Sequence, residues 1–432
     1  MSDLSRRRFI KTTTAAIAAS AIVRRTSAAD ANSVLRGAVL GVNGRGMDHV
    51  ATLQRLPGVQ LAVFCDPDSK VVASRAEQYE KKCGKKVETE TDLRRVFDRK
   101  DIDFVTVATP NHWHSLATIW ACQAGKDVYV EKPGSHNVFE GRKMVEAAKK
   151  YRRIVQHGVQ LRSSPAIREA VEHLRKGTIG KVYMARGIVY RWRPSVGKKG
   201  PEPVPSNLNW DIWQGPAQER PFSTRYVHYN WHWHWDYGNG DVGNQGVHET
   251  DMCLWGLDVK LPSQITSMGG KFLWDDDKET PEVLTSNYLF PEEHKMIEFE
   301  VRPWCTNTEE GATVGNIFYG SEGVLVVKNY GTYEIYMGQK REPGPKKSVS
   351  GEMELHFANF LEAVRTRKTE IQNGPVETAH YSAGLAHLGN IAYRLGRQLR
   401  FNPKTEKFEG DDEANAMLTR KYRPPYVVPE VV

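Results

Sequence analysis

Two patterns of apolar positions alternate along the first third of the chain. Short, nearly continuous apolar runs are typical of strands buried on both faces, whereas apolar residues at helical spacing are typical of helices that face a core. The predicted strands lie within residues 34–42, 59–68, 102–110, 126–133 and 153–162. The predicted helices lie within residues 47–56, 91–99, 111–125 and 137–150. This alternation predicts an α/β fold with a doubly wound parallel sheet.

A glycine-rich turn, GVNGRG, follows the first apolar run. Such a turn lets backbone amides approach a pyrophosphate, which then lies at the positive end of the next helix. The second run reaches Asp66, whose carboxylate can accept hydrogen bonds from an adenosine ribose. Asn43 replaces the middle glycine of the usual turn, and asparagine tolerates a left-handed backbone. The predicted cofactor-binding residues in this region are Gly41, Asn43, Gly44, Arg45, Gly46 and Asp66.

The charge of Asp66 bears on the choice of dinucleotide. A carboxylate at this place favours NAD because it repels the 2′-phosphate of NADP, although Lys70 nearby leaves NADP open. The later strands also end in polar residues, and ligands of parallel sheets bind at the carboxyl ends of strands. We therefore expect one crevice that also contains Thr109, Pro110, Asn111, His114, Glu131, Lys132 and Arg162.

Several motifs together resemble one enzyme family. The runs GVNGRG, ATPNHWH, VYVEKP and QLRSSP, with the later block GDVGNQGVHETD, are similar to the Gfo/Idh/MocA oxidoreductases, the glucose–fructose oxidoreductase and inositol dehydrogenase family. The resemblance implies a Rossmann domain followed by an α+β domain with a large, mainly antiparallel open sheet, which carries the substrate and much of the oligomer contact. It also implies that Lys132 lies beside the nicotinamide and the reacting hydroxyl.

The later block departs from the family pattern at Asn244, where the resemblance implies a catalytic aspartate. An amide cannot accept a proton as a carboxylate does, so His248 is expected to act as the base, alone or with Lys132 or a tyrosine. Asp251 follows His248 by about one helical turn and is expected to orient its ring. On this interpretation, Asn244→Asp retains or gains simple dehydrogenase activity. Asn244 and Asp251 are therefore predicted to bind substrate.

Residues 226–241 are unusually rich in aromatic and histidine residues. If this segment is extended, its tryptophans share one face, and His232, His234 and Asp236 share the other. Three interpretations stay open: a buried aromatic strand, the wall of a carbohydrate pocket, and a divalent metal site. We assign Tyr226 and Trp235 to a carbohydrate pocket and assign no metal ligand. The Pro-, Gly- and Trp-rich stretch 191–216 is expected to cover the active site or a subunit contact.

The N-terminus has the features of an export signal. The twin arginines of SRRRFIK precede a short apolar run and the small residues of TSAAD, which is the order of a twin-arginine signal peptide. An ordinary secretory signal and a basic tail are the alternatives. Residues 1–29 contain six basic residues and one acidic residue, so they account for +5 of the formal charge of +8. The rest of the chain has no basic stripe that would indicate nucleic acid binding. The apolar run in residues 1–29 is too short to span a membrane, so we expect no membrane anchor after the signal is cleaved.

The sequence therefore predicts a signal peptide at 1–29, an NAD(P)-binding domain at 34–157 and a substrate and oligomerisation domain at 158–432. The predicted protein is a periplasmic oxidoreductase that acts on a sugar, polyol or glycoside hydroxyl with tightly bound NAD, which is recycled in place. The alternatives are an NAD-dependent glycoside hydrolase or epimerase without net redox change, a metal-dependent hydrolase, and a non-catalytic sugar-binding protein. We expect a homo-oligomer, a dimer or tetramer, in which the proline-rich tail docks on a neighbouring subunit.

Overall fold

The computed structural model describes residues 34–304 and 307–432, so the predicted signal peptide lies outside the described residues. The first domain contains a parallel sheet of six strands in the order β3-β2-β1-β4-β5-β6. These strands are β1 (Leu35–Leu40), β2 (Val59–Cys65), β3 (Glu88–Glu90), β4 (Phe104–Val107), β5 (Asp127–Val130) and β6 (Val155–His157). The predicted doubly wound sheet is confirmed.

Helices follow these strands and cover both faces of the sheet. They are α1 (Arg45–Leu53), α2 (Ser69–Cys83), α3 (Leu93–Asp98), α4 (Asn111–Gln123) and α5 (Val138–Lys150). Local sequence explains where several of them begin, because Asp68 and Asn137 accept hydrogen bonds from the first turns of α2 and α5. The predicted strand at 153–162 is shorter than expected, because residues Gln160–Ser163 form a 3₁₀ helix.

The second domain is built on a sheet of ten strands in the order β14-β13-β12-β11-β7-β10-β9-β8-β15-β16. Its longer strands are β7 (Val182–Tyr190), β8 (Gln264–Gly270), β9 (Val283–Phe290), β10 (Lys295–Arg302), β11 (Val314–Gly320), β12 (Gly323–Asn329), β13 (Thr332–Met337) and β14 (Glu342–Ser348). The short edge strands are β15 (Leu399–Asn402) and β16 (Lys407–Phe408). Pairing is antiparallel except between β7 and β10, so the predicted, mainly antiparallel sheet is confirmed.

Buried and partly exposed residues alternate along β9 and β10, which is typical of a sheet with one covered face. The helices of this part of the chain are α6 (Pro165–Arg175), α7 (Trp210–Gln214), α8 (Gly240–Asn244), α9 (Val247–Leu257), α10 (Glu352–Thr366), α11 (Val376–Leu395) and α12 (Asp412–Ala416). Helices α6, α9 and α11 pack on the sheet, and α11 also packs on α5 of the first domain. The two domains are therefore joined through α11.

Residues from the end of the chain return to the first domain. Phe357 and Phe360 of α10 are buried against its sheet, and Tyr426, Val428 and Val432 of the tail join its core. The structure thus places the tail on the chain's own first domain, where the sequence predicted a neighbouring subunit. Within the described part of the chain, no helix is both long and apolar enough to cross a membrane.

Candidate active site

A cavity of about 470 Å³ opens at the carboxyl ends of the parallel strands and reaches the second domain. Most of the residues that the sequence assigned to the cofactor line it: Gly41, Asn43, Gly44, Arg45, Asp66, Thr109, Pro110, Asn111, His114 and Glu131. Lys132 and Asn244 line it as well, from opposite domains. These residues therefore lie in a single crevice at the strand ends, as the sequence predicts.

The glycine turn is closely packed on one side and open on the other. Gly41 has a φ of +83°, and a Cβ atom there would lie 2.6 Å from the carbonyl oxygen of Ala108. A Cβ atom at Gly46 would lie 1.9 Å from the carbonyl oxygen of Gly41. A Cβ atom at Gly44 would meet nothing within 4 Å, and no side chain caps the start of α1. The turn therefore leaves space and free backbone amides beside a helix N-terminus, as a pyrophosphate requires.

Asp66 lies at the end of β2 and is held by backbone amides. Its Oδ2 accepts a hydrogen bond from the Val42 amide at 3.0 Å, and its Oδ1 accepts one from the Asp68 amide at 3.1 Å. Burial raises the pKa of Asp66 to about 6, although both amide hydrogen bonds favour the carboxylate. The group is therefore mostly ionised at neutral pH, and it lines the cavity.

A buried carboxylate links the glycine turn to the loop that carries Lys132. Glu131 Oε1 accepts hydrogen bonds from Arg45 Nε at 2.8 Å and from His49 Nε2 at 2.9 Å. Burial opposes the negative charge, but the Arg45 guanidinium and the His49 hydrogen bond outweigh it and hold the pKa of Glu131 well below its usual range. Sequence analysis missed His49, whose only local signal is its position four residues after Arg45 on α1.

Lys132 connects the two domains at the cavity wall. Its ammonium donates hydrogen bonds to the backbone oxygen of Asn244 at 2.7 Å and to the side-chain oxygen of Asn244 at 3.3 Å. Burial of the ammonium lowers the pKa of Lys132 to about 8. Protonated and neutral forms of Lys132 therefore coexist near neutral pH, as a group that exchanges protons with a substrate requires.

His248 does not line the cavity, although it lies on α9, close after Asn244. Its ring packs against Tyr330, with 4.7 Å between ring centroids, and its Nδ1 atom has no hydrogen-bond partner. Burial, with the nearby charge of Lys132, lowers the pKa of His248 well below its usual range. The imidazole is therefore neutral at physiological pH.

Asp251 and Arg162 form a buried ion pair with each other. Arg162 donates from Nε to Oδ2 of Asp251 at 2.7 Å and from Nη2 to Oδ1 at 2.9 Å. Neither residue lines the cavity. The interpretation that Asp251 orients His248 is not supported, because the carboxylate is directed to Arg162 and His248 Nδ1 lacks a partner.

The aromatic segment after residue 225 turns, and the interpretation of it as an extended strand is wrong. Asn230–Trp233 form a 3₁₀ helix, so the side chains do not alternate between two faces. Tyr226 packs among aromatic rings and does not line the cavity, and Trp235 lies under the guanidinium of Arg394. Other residues of this region, together with Trp213 of α7, line the cavity: His228, Tyr229, Trp231 and His232.

The histidines and acids of this segment are directed to different places. His234 Nδ1 lies 3.5 Å from Glu279, Asp236 pairs with Arg220, and His232 faces the cavity. Among residues 34–304 and 307–432, no group of three or more His, Cys, Asp or Glu side chains is arranged to hold a metal ion.

A glycine turn at a helix N-terminus, an acid after the second strand and a lysine between two domains define the site of a Rossmann-type oxidoreductase. The chain belongs to the Gfo/Idh/MocA oxidoreductase family. The family's NAD-binding Rossmann-fold model matches residues 35–159, and the model of its C-terminal alpha/beta domain matches residues 164–277 and 341–428. The resemblance of the sequence motifs is thereby confirmed.

Curated relatives match only part of the chain. A glycosyl hydrolase family 109 protein of Saccharopolyspora erythraea is 30% identical over 165 residues, which are 37% of this chain and 35% of the relative. The scyllo-inositol 2-dehydrogenase (NAD(+)) of Bacillus subtilis is 32% identical over 155 residues, 36% of this chain and 44% of the relative. The levoglucosan dehydrogenase of Pseudarthrobacter phenanthrenivorans is 34% identical over 97 residues, 22% of this chain and 25% of the relative. The chain therefore spans less than half the length of these relatives.

Solved structures match over most of their length. The aldose–aldose oxidoreductase from Caulobacter crescentus, complexed with glycerol, has a TM-score of 0.65 and 17% identity, covering 85% of this chain and 99% of that chain. The WlbA dehydrogenase from Bordetella pertussis, in complex with NADH and UDP-GlcNAcA, has a TM-score of 0.64 and 16% identity, with the same coverage. At these identities the similarity shows the fold.

Proposed function

We propose that the protein oxidises a hydroxyl of a sugar, polyol or glycoside with NAD that it holds tightly and recycles in place. The observation that carries this proposal is the position of Lys132, a half-buried amine in the dinucleotide cavity that is hydrogen-bonded to the second domain. Family membership supplies the reaction class, and relatives that act on inositol and levoglucosan support a polyhydroxylated substrate.

The residues of the cavity have separate tasks in this reaction. The glycine turn and Asp66 hold the dinucleotide, and bound NAD supplies the hydride acceptor. Neutral Lys132 accepts the proton of the substrate hydroxyl, and its ammonium donates one to a carbonyl oxygen in the reverse direction. The low pKa of Lys132 makes both directions accessible near neutral pH. His248 is neutral, and Tyr330 packs against its ring, so we assign the proton transfer to Lys132 and keep His248 as a second candidate base.

A cover segment, residues 205–233, supports tight retention of the cofactor. It crosses the loop after β2: the Ser69 amide donates to the Asn207 oxygen at 2.8 Å, and the Asn209 amide donates to the Pro67 oxygen at 2.9 Å. The Asn207 side chain also donates to Asp68 at 2.8 Å. We infer that these hydrogen bonds slow the release of a dinucleotide on this side of the cavity. Asp66 and Asp68 put two carboxylates on this side of the cavity, and these would repel the 2′-phosphate of NADP. We therefore favour NAD over NADP.

Retention of the cofactor fits export by the twin-arginine route, which we propose from residues 1–29. That route carries folded proteins, and nicotinamide cofactors are not freely available in the periplasm. An exported enzyme would therefore regenerate its cofactor by reducing a second carbonyl compound. We also propose a homo-oligomer, as the family resemblance implies.

A redox-neutral glycoside cleavage or epimerisation is the second candidate, favoured by the glycosyl hydrolase family 109 relative. In the cleavage reaction a hydroxyl is oxidised, which makes the neighbouring C–H acidic. The aglycone then leaves by elimination, water adds to the double bond, and the carbonyl is reduced again. The sum of these steps is hydrolysis, with no consumption of an external oxidant.

Product analysis separates the two candidates. Purified protein is incubated without added cofactor with a polyol, an aldose or a nitrophenyl glycoside, each with and without a carbonyl acceptor. The first proposal predicts no more than one equivalent of oxidised product per bound nucleotide without the acceptor, and repeated turnover only when the acceptor is present. Release of nitrophenol and free sugar without acceptor supports the second candidate. Absence of both products from a nucleotide-loaded enzyme, over a broad substrate panel, would contradict both.

A further inference from the structure

A chain of hydrogen bonds connects Lys132 to a residue that the family pattern does not point to. Asn244 accepts from the Lys132 ammonium through its side-chain oxygen at 3.3 Å, and its amide nitrogen donates to Asp241 Oδ1 at 3.5 Å. Asp241 in turn accepts from Arg193 through both oxygens, each at 2.7 Å. Donors and acceptors therefore alternate without conflict from Arg193 to Lys132.

The burial of this chain restricts which residue fits at position 244. Asp241 and Asn244 lie three residues apart on α8 and are only 4% and 8% exposed. A carboxylate at position 244 would put an acceptor oxygen where the amide nitrogen now donates to Asp241. Two carboxylates sharing a buried site cannot both ionise readily. An amide at position 244 is therefore compatible with the carboxylate at position 241, whereas a second carboxylate is not.

We propose that Asp241 is the carboxylate of this active site, displaced by three residues along α8, and that it acts through the Asn244 amide to orient the Lys132 ammonium. Asp241 is a positioning residue, because Arg193 and Asn244 separate it from the cavity wall. The inference rests on the proposed function, since it needs Lys132 to exchange the proton.

The surroundings of Arg193 show why Asp241 keeps a fixed orientation. The Trp274 indole donates to the Arg193 backbone oxygen at 3.0 Å, and the Arg193 guanidinium lies 5.4 Å from the centroid of the Trp233 ring. The Arg193–Asp241 pair is thereby anchored to segments of the second domain outside α8. On this proposal, the orientation of Lys132 depends on residues that do not line the cavity.

The chain also changes the expectation for Asn244→Asp. The sequence alone predicted that this variant retains or gains dehydrogenase activity, whereas the contact with Asp241 predicts a loss. We expect turnover at neutral pH to fall about tenfold, the effect of a charge interaction worth one pKa unit. Asp241→Asn should also lower turnover, because the NH2 group of the new amide must face either the Arg193 guanidinium or the Asn244 amide, which are both donors, so the orientation of Asn244 and Lys132 is lost.

The exchange of the two residues gives the decisive variant. In Asp241→Asn/Asn244→Asp the total charge is conserved and the amide at position 241 can donate to the carboxylate at position 244. Arg193, which donates to both oxygens of Asp241, keeps only one acceptor there. We therefore expect turnover above that of either single variant and below that of wild type. Glu406→Gln is the control, because it removes a carboxylate from a part-buried ion pair with Arg142, and neither residue lines the cavity. It should leave turnover unchanged. If Asp241→Asn does not fold, Asn244→Asp and the exchange variant carry the test.

A measurement independent of activity follows the pKa of Lys132 itself. Burial lowers the pKa of Lys132 and Arg45 lowers it further, whereas Glu131, Asp241 and Glu249 raise it. Acetylation of Lys132 by acetic anhydride over a pH series, measured by mass spectrometry, should therefore show a lower pKa in Asp241→Asn. The inference would be overturned by an unmoved labelling profile combined with either of two kinetic results. One is single variants that are as active as wild type, and the other is an exchange variant that is no better than either single variant. If the labelling profile shifts but the enzyme turns over without Lys132, the result would instead contradict the proposed function.

Discussion

The cavity has two walls of different construction. The wall from the first domain is made of backbone where the glycine turn lies, because the turn packs against main-chain carbonyl oxygens and Asp66 is held by main-chain amides. The opposite wall is made of side chains from the cover segment and α8, including Trp231, His232 and Asn244. A backbone wall suits an invariant ligand, the dinucleotide, whereas a side-chain wall can change with the substrate. Changes in the two walls should therefore affect different properties of the enzyme.

The largest effect is expected from Gly46→Ala in the backbone wall. The added Cβ would lie 1.9 Å from the carbonyl oxygen of Gly41, so the turn must open. Overpacking of this kind costs about 3 kcal/mol, and we expect a lower thermal midpoint and no retained nucleotide. Both are measured on purified protein, by calorimetry and by mass spectrometry of the denatured sample. Gly44→Ala is the matched control, because its Cβ meets nothing within 4 Å, and its thermal midpoint should match wild type.

Lys132→Ala tests the point where the walls meet. Loss of a positioned acid–base group should lower turnover about 10²–10⁴-fold while the nucleotide stays bound. In the wild type, turnover for hydroxyl oxidation should rise with pH through about 8, because Lys132 must lose its proton first. Steady-state kinetics over a pH series measures both. Full turnover in the alanine variant would remove Lys132 from the mechanism.

Asp66→Ala should have a smaller effect on the same property as Gly46→Ala. Removal of the carboxylate leaves the amides of Val42 and Asp68 without their acceptor and removes a ribose contact, so NAD binding should weaken by about 1–3 kcal/mol. Because burial raises the pKa of Asp66 to about 6, NAD binding to the wild type should also weaken as the pH falls below that value. Calorimetric titration of nucleotide-stripped protein tests this. Equal affinity of variant and wild type would show that Asp66 does not hold the ribose.

The smallest effect is expected from Trp231→Ala in the side-chain wall. A stacked aromatic ring contributes on the order of 1 kcal/mol, so KM for the sugar should rise about fivefold and bound nucleotide should be unaffected. Trp235→Ala is the control, because its ring lies under Arg394 outside the cavity. If Trp231→Ala lost its nucleotide but kept its KM, the division of tasks between the walls would be wrong.

The backbone wall could be predicted from sequence because its chemistry is local. The turn, α1 and Asp66 follow one another within a single strand–helix–strand unit, so spacing alone identifies them. The side-chain wall depends on distant contacts. Asn244 accepts a hydrogen bond from Lys132, 112 residues away, and Asn207 of the cover segment donates one to Asp68, 139 residues away. The alternation assumed for residues 226–241 holds only for a strand, and packing of the aromatic rings makes this segment turn.

Asp241 shows that a contact can be missed from sequence even when the two residues are close together in the chain. Its spacing from Asn244 is visible in the sequence, but only the structure shows that Arg193 neutralises it and that the Asn244 amide faces both Asp241 and Lys132. The sequence motif therefore shows that position 244 departs from the family pattern. The contact with Asp241 that we propose as the cause is visible only in the structure.

We propose that this chain holds its own NAD and uses it on a polyhydroxylated substrate. The most direct measurement is mass spectrometry of the nucleotide released when purified, full-length protein is denatured, before and after incubation with a panel of sugars and polyols. The account predicts that NAD(H) copurifies with the protein and that its reduced fraction rises with a substrate, then falls when a carbonyl acceptor is added. Folded protein that neither contains nor binds a dinucleotide would contradict the account.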